Sequence, residues 1–211
     1  MRIAWLLFMI ALPVLAAEGD AKALKLAESV FKASGGYNWQ RVKAIQFTFD
    51  VEQDGKKLLS AKHNWNVRAG TDTVSWGDKT VTVNLRKPGD DADAKAAYAR
   101  WVNDAYWLLM PIKLKDPGVK LAYKGQQSVE NKTYDVLNIS YAGVGLTPGD
   151  QYNIYIDPAT HLVMHWDYMP NPEKKVSGSW DGYSNYGGLR LATEHKFGDK
   201  MIWLSKIAVT R

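Results

Sequence analysis

The chain has 211 residues, a formal charge of +5 from 27 Lys and Arg against 22 Asp and Glu, and no cysteine. Without thiols there is no disulfide framework, no thiolate nucleophile and no thiolate metal site. The charged side chains are interleaved rather than gathered into a basic stripe, which excludes a nucleic-acid partner and leaves only a weak attraction to anionic membrane surfaces.

The first stretch, "MRIAWLLFMIALPVLAAEGDA", has Arg2, then an apolar run from Ile3 to Leu12, then small residues from Ala16. That order is a secretory signal peptide, expected over residues 1–17 with cleavage after Ala16 or Ala17. The run is short for a membrane span, which takes about 20 residues. Residues 18–211 are expected to form one domain, soluble after cleavage and large enough to bury a core without staples.

Asp20 is placed to cap a first helix, with Ala23, Leu24, Ala27, Val30 and Phe31 at helical spacing and Gly35-Gly36 as the stop. The period then becomes two. Ile45, Phe47, Phe49 and Val51 alternate with polar neighbours, Asp54-Gly55 turns the chain, and Leu59, Ala61, His63, Trp65 and Val67 return. "TDTVSW" and "KTVTVNL" flank Gly77-Asp78 as another hairpin.

Residues 88–110 break this pattern. Asp90 or Asp91 is expected to cap a helix on which Tyr98, Trp101, Val102, Ala105, Leu108 and Leu109 share one face. Pro111 is expected to end it, having no amide proton. Trp107 falls opposite, near Arg100, Asn103 and Asp104, at a seam, in a second interface or in solvent. Strands follow at 119–123, 134–141, 152–156, 162–168, 176–183, 189–196 and 202–209, separated by turn signals such as "KDPGV", "LTPGD" and "NPEKK". A sheet of so many strands must curl, and the two helices are the available cover for its concave face. The expected class is therefore α+β: a strongly curved antiparallel sheet, an unclosed barrel, with helices over the hollow.

The best-patterned hairpin is "YNIYIDPATHLVMHW". A short turn at Asp157-Pro158 would set Ile156 opposite Leu162, Ile154 opposite Met164 and Tyr152 opposite Trp166, leaving one face apolar. The apolar surfaces that meet are large: Phe47, Phe49, Trp65, Tyr152, Ile154, Met164 and Trp166 on the sheet, against Trp101, Tyr106 and Leu108 on the helix. Either these rings fill an ordinary core, or sheet and helix stay apart around an aromatic-walled cavity. Those ten residues are the expected ligand-binding set if the cavity is open, with Met110-Pro111 and Asp116-Pro117-Gly118 as a hinge for the helical lid.

Catalytic patterns are lacking. His161 and His165 have helical metal-pair spacing but lie on a strand, where four residues span roughly 13 Å. Asp150, Asp157 and Asp167 suggest paired carboxylates, but Asp150 and Asp157 sit in Pro-containing turns, where a carboxylate bonds nearby amides. No nucleophile elbow or phosphate-binding helix start is present. No catalytic residue, metal or cofactor is expected. Two other readings stay open: a structural envelope protein with a filled core, and a carbohydrate or cell-envelope module using exposed aromatics.

A helix ending in "SGGYNW", a strand pair reaching "HNWNVRAG", the "YIDPAT" hairpin and a late "WDGYSNYGGLRLATEH" resemble, in that order, the LolA/LolB-like superfamily of periplasmic lipoprotein carriers. The blocks "WVNDAYWLLMPIKLKDPGV" and "GLTPGDQYNIYIDPATHLV" are similar to an uncharacterised branch of it. The resemblance implies a periplasmic, non-enzymatic, monomeric carrier of a hydrophobic ligand: a lipid, a fatty acid or the acyl chains of a lipoprotein. It also implies transient contact with an envelope membrane or an acceptor protein. In the LolA carriers an arginine in a Trp-x-x-Arg-Pro run latches the lid. Arg68, in Trp65-Asn66-Val67-Arg68-Ala69, matches that position, although Ala69 replaces the proline.

Overall fold

The computed structural model describes residues 17–142, 146–147, 149–171 and 173–211, so the expected signal peptide lies outside it except for Ala17. Helix α1 (Ala21–Ala33) starts where the Asp20 carboxylate accepts the Ala23 amide at 2.8 Å, satisfying one of the unpaired donors of the first turn. It buries Ala23, Ala27 and Val30, while Leu24 stays 40% exposed, outside its expected face. The covered stripe is narrow because small side chains let the helix approach closely, and Leu24 falls beyond its edge.

Strands β2 (Ala44–Gln53), β3 (Lys56–Asn66), β4 (Thr71–Trp76) and β5 (Lys79–Asn84) follow as hairpins. Asp54 and Gly55 take φ of 49° and 72°, the pair of left-handed residues that a two-residue hairpin turn requires. Ile45, Phe47 and Phe49 face Trp65, His63 and Ala61 across the β2–β3 ladder. All three β2 side chains are buried, each stabilising the fold by about 1.5–3 kcal/mol relative to exposure.

Helix α2 (Ala92–Lys113) is capped by Asp91, which accepts the Ala94 amide at 2.8 Å. Pro111 does not end it: the helix continues to Lys113. A proline this close to the end forfeits one main-chain bond, to the carbonyl four residues back. That carbonyl belongs to Trp107, and the buried His195 ring lies beside it and beside the Ser179 carbonyl.

The second half contains β6 (Val119–Val129), β7 (Lys132–Tyr141), β8 (Gln151–Ile156), β9 (Val163–Asn171), β10 (Lys174–Ser179), the short pair β11 (Ser184–Tyr186) and β12 (Leu189–Leu191), then β13 (Glu194–Phe197) and β14 (Lys200–Thr210). The strand expected over 189–196 is split, because the Thr193 and Glu194 amides both turn to the Asp181 carbonyl. A two-residue strand, β1 (Glu18–Gly19), runs parallel beside β6.

Hydrogen bonding orders these strands into two six-stranded sheets, β1-β6-β7-β8-β9-β10 and β13-β14-β2-β3-β4-β5. The sheets touch where β10 meets β13. There the Lys196 amide donates to Ser179 Oγ at 3.2 Å, and a Cβ at Gly178 would come 2.9 Å from the Lys196 carbonyl. The bare glycine allows that approach. Together the halves make the expected curved, unclosed sheet, with α1 and α2 packed on each other and α2 lying over β4 and β5. One continuous core joins both helices to the inner faces of both sheets.

Candidate functional site

Sheet and helix do not close completely. A cavity of about 390 Å³ lies between α2 and the inner side of β6, β7 and β8, toward the small end of the range for ligand pockets, roughly 300–1,000 Å³. α2 supplies Trp101, Val102, Ala105, Tyr106 and Met110; β3 supplies Trp65; β7 and β8 supply Ile139, Tyr141 and Tyr152. Lys113 at the end of the helix, Asp116 and Pro117 after it, and Leu146 and Thr147 form the mouth, where Leu146 is 52% exposed.

The aromatic walls are set at angles to one another, edge to face at Trp65–Trp101 and tilted by 38° at Tyr106–Tyr152. Trp65 and Trp101 have centroids 5.3 Å apart at 80°, and Tyr106 lies 5.2 Å from Tyr152. Such tilted pairs suit the ring quadrupoles and resist collapse into a flat stack. Burial pushes the Tyr141 hydroxyl up to about 12 and raises Tyr106 and Tyr152 as well, so all three phenols stay neutral at physiological pH.

Of the ten residues expected from sequence, Trp65, Trp101, Tyr106 and Tyr152 converge on this cavity. Phe47, Phe49, Leu108, Ile154 and Trp166 instead sit in the packed core. Met164 corrects the expected hairpin. The observed register pairs Tyr152 with Tyr168, Ile154 with Trp166 and Ile156 with Val163, with an irregularity after Tyr155. Asp157 collects the Ala159 and Thr160 amides at 2.9 and 2.8 Å and His161 takes φ of 56°, which lengthens the loop. The extra residue flips the strand face, so Val163 turns inward and Met164 packs outside against a cluster of Tyr134, Val136 and Tyr155.

Trp107 occupies the second interface. Its ring lies 4.9 Å from Trp166, 5.7 Å from Trp180, 5.2 Å from His195 and 5.9 Å from Phe197. From Asp104 to Ile112 almost every residue of α2 is buried, as for a helix enclosed on all sides rather than laid on a surface.

Arg68 is exposed, and its side chain makes no ion pair or hydrogen bond among the described residues. Its expected role as latch thus has no partner here. The polar link between α2 and the sheet is made elsewhere. His63 Nδ1 lies 2.7 Å from Asp72 of β4 and Nε2 lies 2.9 Å from Asp104 of α2, with all three side chains at most 2% exposed. The two carboxyl groups favour the doubly protonated, imidazolium ring, whose two N–H groups then each have an acceptor. Burial alone would push His63 down, but the bonds to Asp104 and Asp72 outweigh it and its pKa is raised. Phe47 stacks on the ring at 4.4 Å, and Asn103, a cavity residue, donates to Asp104 at 2.8 Å. The ring nitrogens point apart, so the group does not converge on one ion.

Curved open sheet and helical cover make an α+β unclosed-barrel fold. Two solved structures share it: a DUF1329 family protein from Desulfovibrio piger, at TM-score 0.53 and 9% identity over 89% of this chain and 92% of that one, and a putative outer membrane lipoprotein-sorting protein domain from Vibrio parahaemolyticus, at 0.51 and 12% over 90% and 92%. A LolA superfamily protein from Nitrosomonas europaea aligns more loosely, at 0.49 and 7% over 88% and 94%. In sequence, residues 87–174 match a family of unknown function, DUF6503. No curated protein matches the chain.

Proposed function

We propose that the protein is a non-catalytic carrier that holds one hydrophobic, chain-bearing ligand, a lipid or fatty acyl molecule, beneath α2. The periplasm is its place of work, to which residues 1–17 would direct it. The observation that carries this reading is the cavity of about 390 Å³ left between aromatic walls that could have closed on each other.

The magnitudes suit binding without charge. Each buried methylene contributes about 0.8 kcal/mol, so ten of them supply about 8 kcal/mol before the costs of ordering the ligand. The size of the cavity favours a single chain; the several chains of a lipoprotein would need α2 to swing away. A structural protein with a filled core does not account for the gap. A carbohydrate platform needs exposed coplanar rings, whereas Trp65 is only 6% exposed and stands nearly perpendicular to Trp101.

The test is mass spectrometry of an organic extract from mature protein purified from its periplasm without detergent. A lipid near one per chain, absent from an equally treated control protein, is the expected result. An extract that is empty, and stays empty after incubation with lipids, would overturn the reading.

A further inference from the structure

The cavity is polar at one end. Tyr106, Tyr141 and Tyr152 gather there, with Tyr141 and Tyr152 centroids 6.0 Å apart. The Tyr106 oxygen is already occupied, accepting the Trp166 indole N–H at 3.4 Å. Tyr141 lies beside the Tyr106 hydroxyl and Tyr152 beside Thr147. A stronger acceptor placed in the cavity would compete with these contacts. Phenol donors held away from bulk water gain most from such an acceptor.

The charges around them select what that acceptor is. Among the described residues the cation of the wall is Lys113, and its ammonium is already paired with Asp116. Asp150 stands just behind, accepting the Tyr168 hydroxyl at 3.0 Å. Asp116 and Asp150 both act on Tyr141 as negative charges. An anionic headgroup at this end would meet two carboxylates and no free cation among the described residues. A pure hydrocarbon would offer the phenols no acceptor beyond these contacts.

On the carrier reading above, we infer that the cavity takes a neutral acyl ester, whose carbonyl accepts from Tyr141 or Tyr152 while its chain lies along Trp65 and Trp101. The ligand class is therefore an esterified lipid, not a free fatty acid or a phospholipid headgroup.

Displacement of a bound naphthylamine dye at pH 8 by methyl decanoate, decanoate and decane tests this. The ester should displace the dye at about tenfold lower concentration than decanoate. The double variant Tyr141→Phe/Tyr152→Phe should weaken the ester about two- to tenfold, as expected for one lost hydrogen bond, and leave decane unchanged. Decanoate matching the ester, or an ester response untouched by the double variant, overturns this inference and leaves the carrier reading standing. If neither the dye nor any of the three compounds binds, both fall.

Discussion

His63→Leu isolates the link between α2 and the sheet. In the native protein one imidazolium lies between two carboxylates at 2.7 and 2.9 Å, with the side chains of His63 and Asp72 at 0% exposure and that of Asp104 at 2%. At the effective dielectric that suits buried sites, a pair of unit charges about 4 Å apart attracts by about 4 kcal/mol. Most of that offsets the desolvation of three ionised groups, so the intact triad contributes little net stability. Removing the ring deletes both attractions and leaves two carboxylates buried and unpaired, which costs about 3–5 kcal/mol. Urea unfolding at pH 7, followed by tryptophan fluorescence, should show that loss as a lower midpoint at unchanged slope. The triple variant His63→Leu/Asp72→Val/Asp104→Leu should regain most of it, because an apolar triad has no unpaired charge. A single variant within about 1 kcal/mol of wild type, or a triple variant no better than the single, would refute the reasoning.

Burial between Trp107 and Trp180 pushes His195 down to about 3. The unfolded chain therefore takes up its proton first, near pH 6.5, and stability present above that pH falls toward pH 3 by about 1.4 kcal/mol per unit; His195→Phe should flatten that slope in urea titrations from pH 4 to 7. His63 acts with the opposite sign. Its raised pKa gives stability that is full below about pH 6.5 and lost as pH rises through the folded value. Val102→Trp should fill the cavity and abolish lipid recovery by mass spectrometry while the thermal midpoint moves little, whereas Met164→Ala, altered on the outer face, should leave recovery intact. Arg68→Leu should leave lipid retention unchanged in the same assay, since the guanidinium holds no partner among the described residues.

Both helix starts and the first four long strands are written locally. Asp20 caps as placed, Asp91 is the one of the two candidates that caps α2, and Asp54-Gly55 turns as placed, because caps and tight turns depend on a few adjacent residues. Three cavity residues, Trp65, Trp101 and Tyr152, follow from face assignment, and Tyr106, also expected there, falls off the assigned helix face. What escaped depends on distant partners. The Asp157 loop shifts register by a bulge that alternation cannot reveal, which sends Met164 outward. Asp104 reads as part of a polar face until His63, far away in sequence, is seen to occupy it. Trp107 looks stranded until both halves of the sheet surround it. The one local hint was a histidine among inward-facing residues of β3, a side chain that needs a partner wherever it is buried.

Strand β14 pairs with β2 along nearly its whole length, Thr210 with Ala44 through Lys200 with Gln53, although most of the chain separates them. During synthesis β2 therefore emerges long before its second neighbour exists. One ladder edge beside Phe47 and Phe49 must wait unpaired while the whole middle sheet is made. Folding that closes its longest loop last is slow and exposes a sticky edge meanwhile. Until the late strand arrives, that edge of β2 is where a newly made chain can pair with its own copies.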